Sequence, residues 1–402
     1  MKKTIYSLLV AGLGAGAVSA GDWPQFRGPE SNGIVNDAGI PKQLADDSVA
    51  WKIDLPGRGI SSPIIVGEKV FVTCSSGADQ NRLHVICLSA KDGSKIWERQ
   101  FWAMGRTMTH KKIGCATSSP ASDGKRVFAM FSCNDLICLD LDGNLQWLRG
   151  LTRDYPNASN SLGMASSPVV AGDTLVVQVE ADSESFAAGI DVKTGVNRWK
   201  LDRAKKANWS SPMVYKDKKT GRLIALLQGS KGVMAVDPKT GSELWNFDQG
   251  SSTMSSTTLA GDTILVPSRG LTALKPGKEG FPPKELWNSN QLSPRTITPL
   301  ALGDKVFSVN GSGVLSCGDM ATGKRIWQLR LKGPFSASPI AAGKYLFAVN
   351  EKGLAQLVDT EAPKGKIISQ LGLDDVIIGT PSIANGAFYV RSDGHLWKLS
   401  DS

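Results

Sequence analysis

Asp191-Val192-Lys193-Thr194-Gly195-Val196-Asn197-Arg198-Trp199 is the stretch on which the fold turns. An Asp opening a turn can accept hydrogen bonds from the backbone N–H groups that follow, and a Gly supplies the positive φ the turn needs. Trp, four residues after the Gly, starts the next strand and offers a broad flat ring for docking on a neighbour. The pattern returns at Asp237 to Trp245 and at Asp319 to Trp327. Ser89 to Trp97 has Ser for Asp, and Asp140 to Trp147 is one residue shorter. Trp287 keeps the rhythm without the Gly, and Gly365 is followed by Ser369 where a Trp would fall.

A second motif alternates with the first. Ser61-Ser62-Pro63 recurs as Ser118-Ser119-Pro120, Ser166-Ser167-Pro168 and Ser210-Ser211-Pro212. Weaker copies follow at Ser255-Ser256-Thr257, Thr298-Pro299, Ser338-Pro339 and Thr380-Pro381, which makes eight units. Most copies lead into an apolar stretch, a Gly-containing turn and alternating apolar residues, as in Val66-Gly67-Glu68-Lys69-Val70-Phe71-Val72. Period-two alternation around such a turn predicts paired antiparallel strands. Each unit therefore reads as four short strands with no helical-period segment between them. Only a neighbour can cover the faces of such a sheet, so the units pack radially: an all-β, eight-bladed β-propeller of four-stranded antiparallel blades. About 48 residues per blade is close to the usual propeller period.

The chain ends predict closure. After Thr380-Pro381 the strands run to Leu396-Trp397-Lys398-Leu399, one short of a blade, while Val49-Ala50-Trp51-Lys52-Ile53-Asp54 stands alone before the first Ser-Ser-Pro. Pairing the two closes the last blade with the N-terminal strand and removes two open edges. Trp51, Trp97, Trp147, Trp199, Trp245, Trp287 and Trp327 then share one blade-docking slot. The expected organisation is a signal peptide at 1–20, an N-terminal segment packing on the propeller at 21–48, and the propeller at 49–402. Lys2 and Lys3, the apolar run from Ile5 to Val18 and the small exit Val18-Ser19-Ala20 carry the signal-peptide reading; the run is too short for a membrane span. Charged residues at 21% and hydrophobic ones at 41% exclude disorder, collagen and integral membrane classes. A formal charge of +9 on 402 residues is too mild a bias to argue for nucleic acid.

With eight Asp-x-x-Thr-Gly-x-x-x-Trp and Ser-Ser-Pro units, the chain resembles the pyrroloquinoline-quinone-like β-propeller repeat family over about residues 22–400. The opening Asp22-Trp23-Pro24-Gln25-Phe26-Arg27-Gly28-Pro29 is also similar to a group of exported bacterial propellers. The resemblance implies one of two branches: quinone-dependent dehydrogenases, or the periplasmic propeller of the outer-membrane barrel-assembly machinery. The dehydrogenases typically set an adjacent Cys pair against the cofactor and hold calcium with carboxylates and an Asn, with an Asp as base. Here Cys74, Cys87, Cys115, Cys133, Cys138 and Cys317 include no neighbours. No Cys-x-x-Cys-His marks a haem domain. The assembly propeller is a lipoprotein, whereas Gly21 stands where its lipidated Cys would be.

Plain structure explains most of the remaining polar and sulfur residues. Cys87, Cys138 and Cys317 fall where other units have Gly189 and Ala235, which predicts a small apolar slot. Among three His, His84 and Cys87 lie three apart on a strand and point to opposite faces, and His395 sits in a Ser-Asp-Gly-His turn expected to be solvated. His110 belongs to a long connection into the second blade. The basic runs Arg203 to Lys206 and Lys216 to Lys219 read as solvated loop charges. Segments just before each Ser-Ser-Pro copy should rim the channel, and Arg58, His110, Asn208, Trp209, Arg295 and Phe335 are the candidate binding residues there. Arg suits carboxylates, and Trp suits flat or apolar groups. No catalytic, cofactor or metal residue is assigned.

The sequence therefore points to a non-catalytic exported binding or scaffold module, in the periplasm or outside the cell. It should take a protein, peptide or glycan partner, use no cofactor and no lipid anchor, and act as a monomer. The alternative is a quinone-dependent dehydrogenase with a divergent site for pyrroloquinoline quinone and calcium.

Overall fold

The computed structural model describes residues 21–36 and 39–401, so the signal-peptide reading at 1–20 lies outside the described residues. Eight antiparallel sheets follow one another: blade 1 spans 64–102, blade 2 spans 121–150, blade 3 spans 169–202 and blade 4 spans 213–247. Blades 5, 6 and 7 span 258–289, 300–330 and 340–372. Blade 8 takes three strands from 382–399 and its fourth from Val49–Asp54, which pairs antiparallel with His395–Leu399. The ring is closed by its own N-terminal strand. Blade 7 carries a fifth strand that the repeats did not foretell: Ile34–Val35 lies parallel to Ile340–Ala342 on the channel side.

The repeated tryptophans show why the blades stay together. Trp51, Trp97, Trp147, Trp199, Trp245, Trp287 and Trp327 lie on outermost strands, and each ring rests on a Gly of the next blade. These are Gly93, Gly143, Gly195, Gly241, Gly277, Gly323 and Gly365, where an added Cβ would approach the ring to between 2.4 and 3.0 Å. Gly277 precedes Trp287 outside the repeat spacing, so the slot survives where the motif does not. Five rings also donate Nε1–H to a carbonyl of the next blade: Trp51 to Ala90, Trp97 to Leu141, Trp147 to Val192, Trp199 to Pro238 and Trp287 to Met320, at 2.8–3.3 Å. Beneath the rings lies the small slot. Cys87, Cys138, Gly189, Ala235 and Cys317 each stand opposite their blade's Trp on the neighbouring strand. All six cysteines are free and buried, and burial pushes the Cys87 and Cys138 thiols up to about 12.

A second belt runs round the channel. From blade 2 to blade 8 the second hydroxyl of each Ser-Ser-Pro unit accepts the backbone N–H of the equivalent residue one blade earlier. The steps are Ser62 to Ser119, Ser119 to Ser167, Ser167 to Ser211 and Ser211 to Ser256, all at 2.8–3.0 Å. They continue from Ser256 to Thr298, Thr298 to Ser338 and Ser338 to Thr380 at 3.0–3.1 Å. Outside blade 7 the inner strand has no neighbouring strand on its channel side, and these bonds satisfy one buried donor at seven of the eight blade junctions. Ser or Thr is required because no apolar side chain can accept the bond.

The channel has two ends. The chain enters each inner strand at the Ser-Ser-Pro end, the entry face, and reverses at the opposite turn face. Residues 22–36 lie across the channel from the turn side. Trp23 exchanges backbone hydrogen bonds with Ile65 of blade 1, the Pro24 carbonyl accepts from Ser122 of blade 2, and Gln25 accepts from Val170 of blade 3. Arg27, buried and at φ 63°, donates to the carbonyls of Asn32, Pro299 and Pro339. Burial lowers its guanidinium to about 9, and the carbonyl dipoles of Asn32, Pro299 and Pro339 hold the cation.

Truncating one docking ring should be severe. Trp147→Ala should lower unfolding stability by about 3–5 kcal/mol, and Gly195→Val should also destabilise, through both the positive φ and the lost ring contact. Ser119→Ala should cost about 1 kcal/mol, whereas Ser119→Thr should be near neutral, since Thr fills this place in blades 6 and 8. Urea unfolding followed by Trp fluorescence reads all four; equal midpoints for the Ala and Thr variants would contradict the hydroxyl belt.

Candidate functional site

The entry face gathers the hairpins between the second and third strands and the connections into each inner strand. Two connections are long, 103–117 and 151–165, and they are tied to each other. His110 N–H donates to the Leu162 carbonyl at 3.0 Å, and the Trp209 indole donates to the Gly163 carbonyl at 2.8 Å. Lys112 reaches across to Glu351 of blade 7 at 3.0 Å, where Ser336 also donates to the carboxylate. The second connection is an ordered cap: Leu151 and Ala158 are buried, and Tyr155 lies 4.4 Å from Phe186 between ring centroids.

The six candidate rim residues separate into two groups. Arg58 is half-exposed, pairs with Asp393 at 3.1 Å and donates to the Lys111 carbonyl. His110 is exposed, with Nδ1 accepting from Lys112 N–H at 3.2 Å, and Trp209 is half-buried. Arg295 is exposed with φ 53°. These four keep exposed surface on the connections into the inner strands. Asn208 and Phe335 do not, which corrects the reading of both as rim binders. Asn208 is buried, donating to the Gln228 carbonyl and accepting from Ser210, because it must hold the end of its inner strand. Phe335 is buried in the apolar layer between blades 6 and 7, where its ring fills space beside Leu331 and Ile297.

Two further readings change, and one residue is added. His395 is not a solvated turn residue: its Nδ1 lies 2.7 Å from Asp375 and its Nε2 3.4 Å from Asp54. Arg203 is not a free loop charge, since it pairs at 2.8 Å with the buried Glu180. Arg391 drew no notice in the sequence, yet it is fully buried beside the channel, donating to Ser61 and to the Cys74 sulfur at 3.4 Å. Nothing in the spacing of Arg391 distinguishes it from a surface Arg; only the closed last blade brings it to Ser61.

The dehydrogenase branch requires carboxylates converging on calcium. Among the described residues no three His, Cys, Asp or Glu side chains come together as metal ligands. The acids at the mouth, Glu351, Asp375 and Asp393, are each engaged by Lys112, His395 or Arg58. The guanidinium groups of Arg27 and Arg391 beside the channel would repel a dication. These residues do not fit a calcium ion at the mouth.

A family model described as outer membrane protein assembly factor BamB matches residues 42–174, 158–270 and 282–365. The chain belongs to this family. The BamB structure from Moraxella catarrhalis superimposes with a TM-score of 0.66 at 17% identity, covering 88% of this chain and 97% of that one. The quinohemoprotein alcohol dehydrogenase from Comamonas testosteroni gives a TM-score of 0.73 at 14% identity, over 96% of this chain and 82% of that one. At those identities both likenesses show the fold alone. A polyvinylalcohol dehydrogenase from a Pseudomonas species is 24% identical over 242 residues, 49% of this chain, and the match spans only 35% of that protein's length. This BamB-like propeller family thus has neighbours that carry quinone chemistry as well as one named for outer-membrane assembly. Among the described residues no helix is long and apolar enough to cross a membrane.

Burial pushes the Asp375 carboxyl up, but hydrogen bonds from Ser392, His395 and the Val376 N–H outweigh it and hold it below the ordinary carboxylate range. A depressed folded-state value contributes stability above the unfolded value, near 4, and loses it as pH falls further. Asp375→Asn should therefore flatten the acid limb of stability between about pH 4 and lower values. Denaturant midpoints measured against pH check this, and parallel acid limbs for the two proteins would refute the assignment.

Proposed function

We propose that this chain is an exported binding propeller that holds a protein partner on its entry face and works without quinone chemistry. One observation carries the reading. The two long connections are locked to each other and across the mouth to blade 7, and this rigid surface displays Met108, Leu162, Met254 and Val376 with 45–59% of each residue exposed. Apolar side chains set among Arg58, His110 and Arg295 are what an amphipathic protein segment with acidic flanks would meet. Ordering the loops beforehand lowers the entropy lost on capture. Membership of the BamB-like family supports a role in assembly of the bacterial envelope, which also supports export.

The engagement of the mouth acids argues against a calcium-dependent site, and the polyvinylalcohol dehydrogenase likeness covers too little of that protein to carry its activity across. The test is co-purification from native envelope with a tagged chain. Met108→Asp combined with Leu162→Asp should keep the fold by circular dichroism and reduce recovery of the partner at least tenfold. Undiminished recovery would rule out this face. Titration of the same preparation with pyrroloquinoline quinone and calcium should leave Trp fluorescence unchanged; saturable quenching with dye reduction by an alcohol would restore the dehydrogenase reading.

A further inference from the structure

Blade 1 differs from its neighbours in having three strands of eight residues, Lys69–Ser76, Arg82–Ser89 and Lys95–Trp102. The register places Cys74 opposite His84 and His84 opposite Gln100, with Ser76 opposite Arg82, and Arg82 opposite Trp102. Directly opposed and alternate residues share a face, so Ser76, His84, Glu98 and Gln100 all project to the side turned towards blade 8. There they form a line. Ser76 Oγ lies 2.7 Å from His84 Nε2, and His84 Nδ1 lies 2.7 Å from Glu98 Oε1.

The charges fix the direction of this line. A carboxylate can only accept, so His84 carries a proton on Nδ1, and its neutral form presents the Nε2 lone pair to the Ser76 hydroxyl. Glu98 stays ionised: burial pushes its carboxyl up, but hydrogen bonds from Lys95, His84 and Gln100 outweigh that and bring it down to about 2. Lys95 at 2.8 Å and Gln100 at 2.9 Å also fix its position. His84 is buried while Ser76 keeps part of its surface exposed, so the base is the more shielded of the two. The other Ser–acid–His group, on blade 8, lacks this order. There Asp375 sits between Ser392 and His395, and Ser392 donates to the acid at 2.6 Å.

We infer that Ser76, His84 and Glu98 form a nucleophilic relay that hydrolyses short-chain carboxylic esters. The inference goes beyond the binding reading, does not depend on it, and departs from the expectation of a propeller without catalysis. Ser76 Oγ bonds to the ester carbonyl carbon while its proton passes to His84 Nε2. The carbon–alkoxy bond breaks, and His84 returns the proton to the departing alcohol. Water then attacks the acyl group on Ser76, giving a proton to His84, and the carboxylic acid leaves as Ser76 recovers its hydrogen. Glu98 remains a carboxylate throughout and balances the transient imidazolium. The acyl group must be short: a Cβ at Gly57 would stand 3.1 Å from the Ser76 Cβ, so the 55–58 connection closes tightly over the serine. On its open side the exposed Trp102, with the Arg82 guanidinium 4.1 Å from its ring centroid, is placed to meet the alcohol portion.

The test uses the full chain with a fluorophosphonate probe and peptide mass mapping, together with p-nitrophenyl acetate and octanoate. The probe should add its mass to Ser76, and acetate should be cleaved faster than octanoate. Ser76→Ala should lose the adduct, while His84→Gln and Glu98→Gln should slow its formation by about 100-fold. Ser94→Ala, altering a turn serine on the same blade, should label like the parent. An unlabelled Ser76, or labelling indifferent to Glu98→Gln, would overturn the inference. Should His84→Gln fail to fold by circular dichroism, the site of the adduct in the parent and the Glu98→Gln rate still decide it.

Discussion

A tryptophan ring lying flat on a glycine of the next blade is the contact from which the rest of this molecule follows. A four-stranded sheet on its own leaves both faces bare, and the ring on the outermost strand covers one of them only if the neighbour brings its backbone within van der Waals distance. That approach demands Gly, and seven of the eight junctions have both partners. The hydroxyl belt makes the equivalent connection at the channel. Six junctions are thus joined at both outer and inner strands by groups that have no partner within their own sheet; blades 7 and 8 share only the hydroxyl bond, and blades 8 and 1 only the ring. Closure through Val49–Asp54 is then a physical necessity, because an open end would expose an unpaired strand edge and a vacant docking site.

The account also explains why one end of the channel is sealed and the other bears the surface features. Residues 22–36 satisfy inner-strand groups of five blades from the turn side, with Arg27 as a buried cation held by carbonyl oxygens. At the entry face the connections are longer and of unequal length, so they can differ in sequence without disturbing the repeats. Function is expected where a rigid scaffold carries such variable segments. Here they are locked across the mouth by Lys112 and Glu351, and they do not hang free.

The fold was legible because it is written eight times in local chemistry: a turn acid, a turn glycine, a ring, then paired hydroxyls. Blade number, the four repeated strands of each blade and closure can be read from those, but not the fifth strand of blade 7. What the hydroxyls do was not legible, since a side chain that accepts from the preceding blade has the same sequence signature as one that caps a turn. The rim was only half legible. Position before Ser-Ser-Pro puts a residue near the mouth, but whether it points outward depends on the partner strand, and Asn208 and Phe335 turn inward. Arg27, Arg391, and the Ser76, His84 and Glu98 line escaped notice for a common reason. Their partners lie on other strands or other blades, at separations that no short spacing encodes, and they come together only through register. The partners of His84 lie on the strands to either side, whereas spacing compares it only with Cys87 on its own strand.

The central claim is that the eight blades stand or fall as one closed ring. Hydrogen exchange on a chain lacking residues 21–54 tests it most directly. That deletion removes the closing strand, the Trp51 ring on Gly93 and the segment that seals the turn side. The account predicts that amide protection collapses in all eight sheets together. Full protection retained in blades 2 to 6, with loss confined to blades 1, 7 and 8, would show that the wedges support themselves and would contradict it.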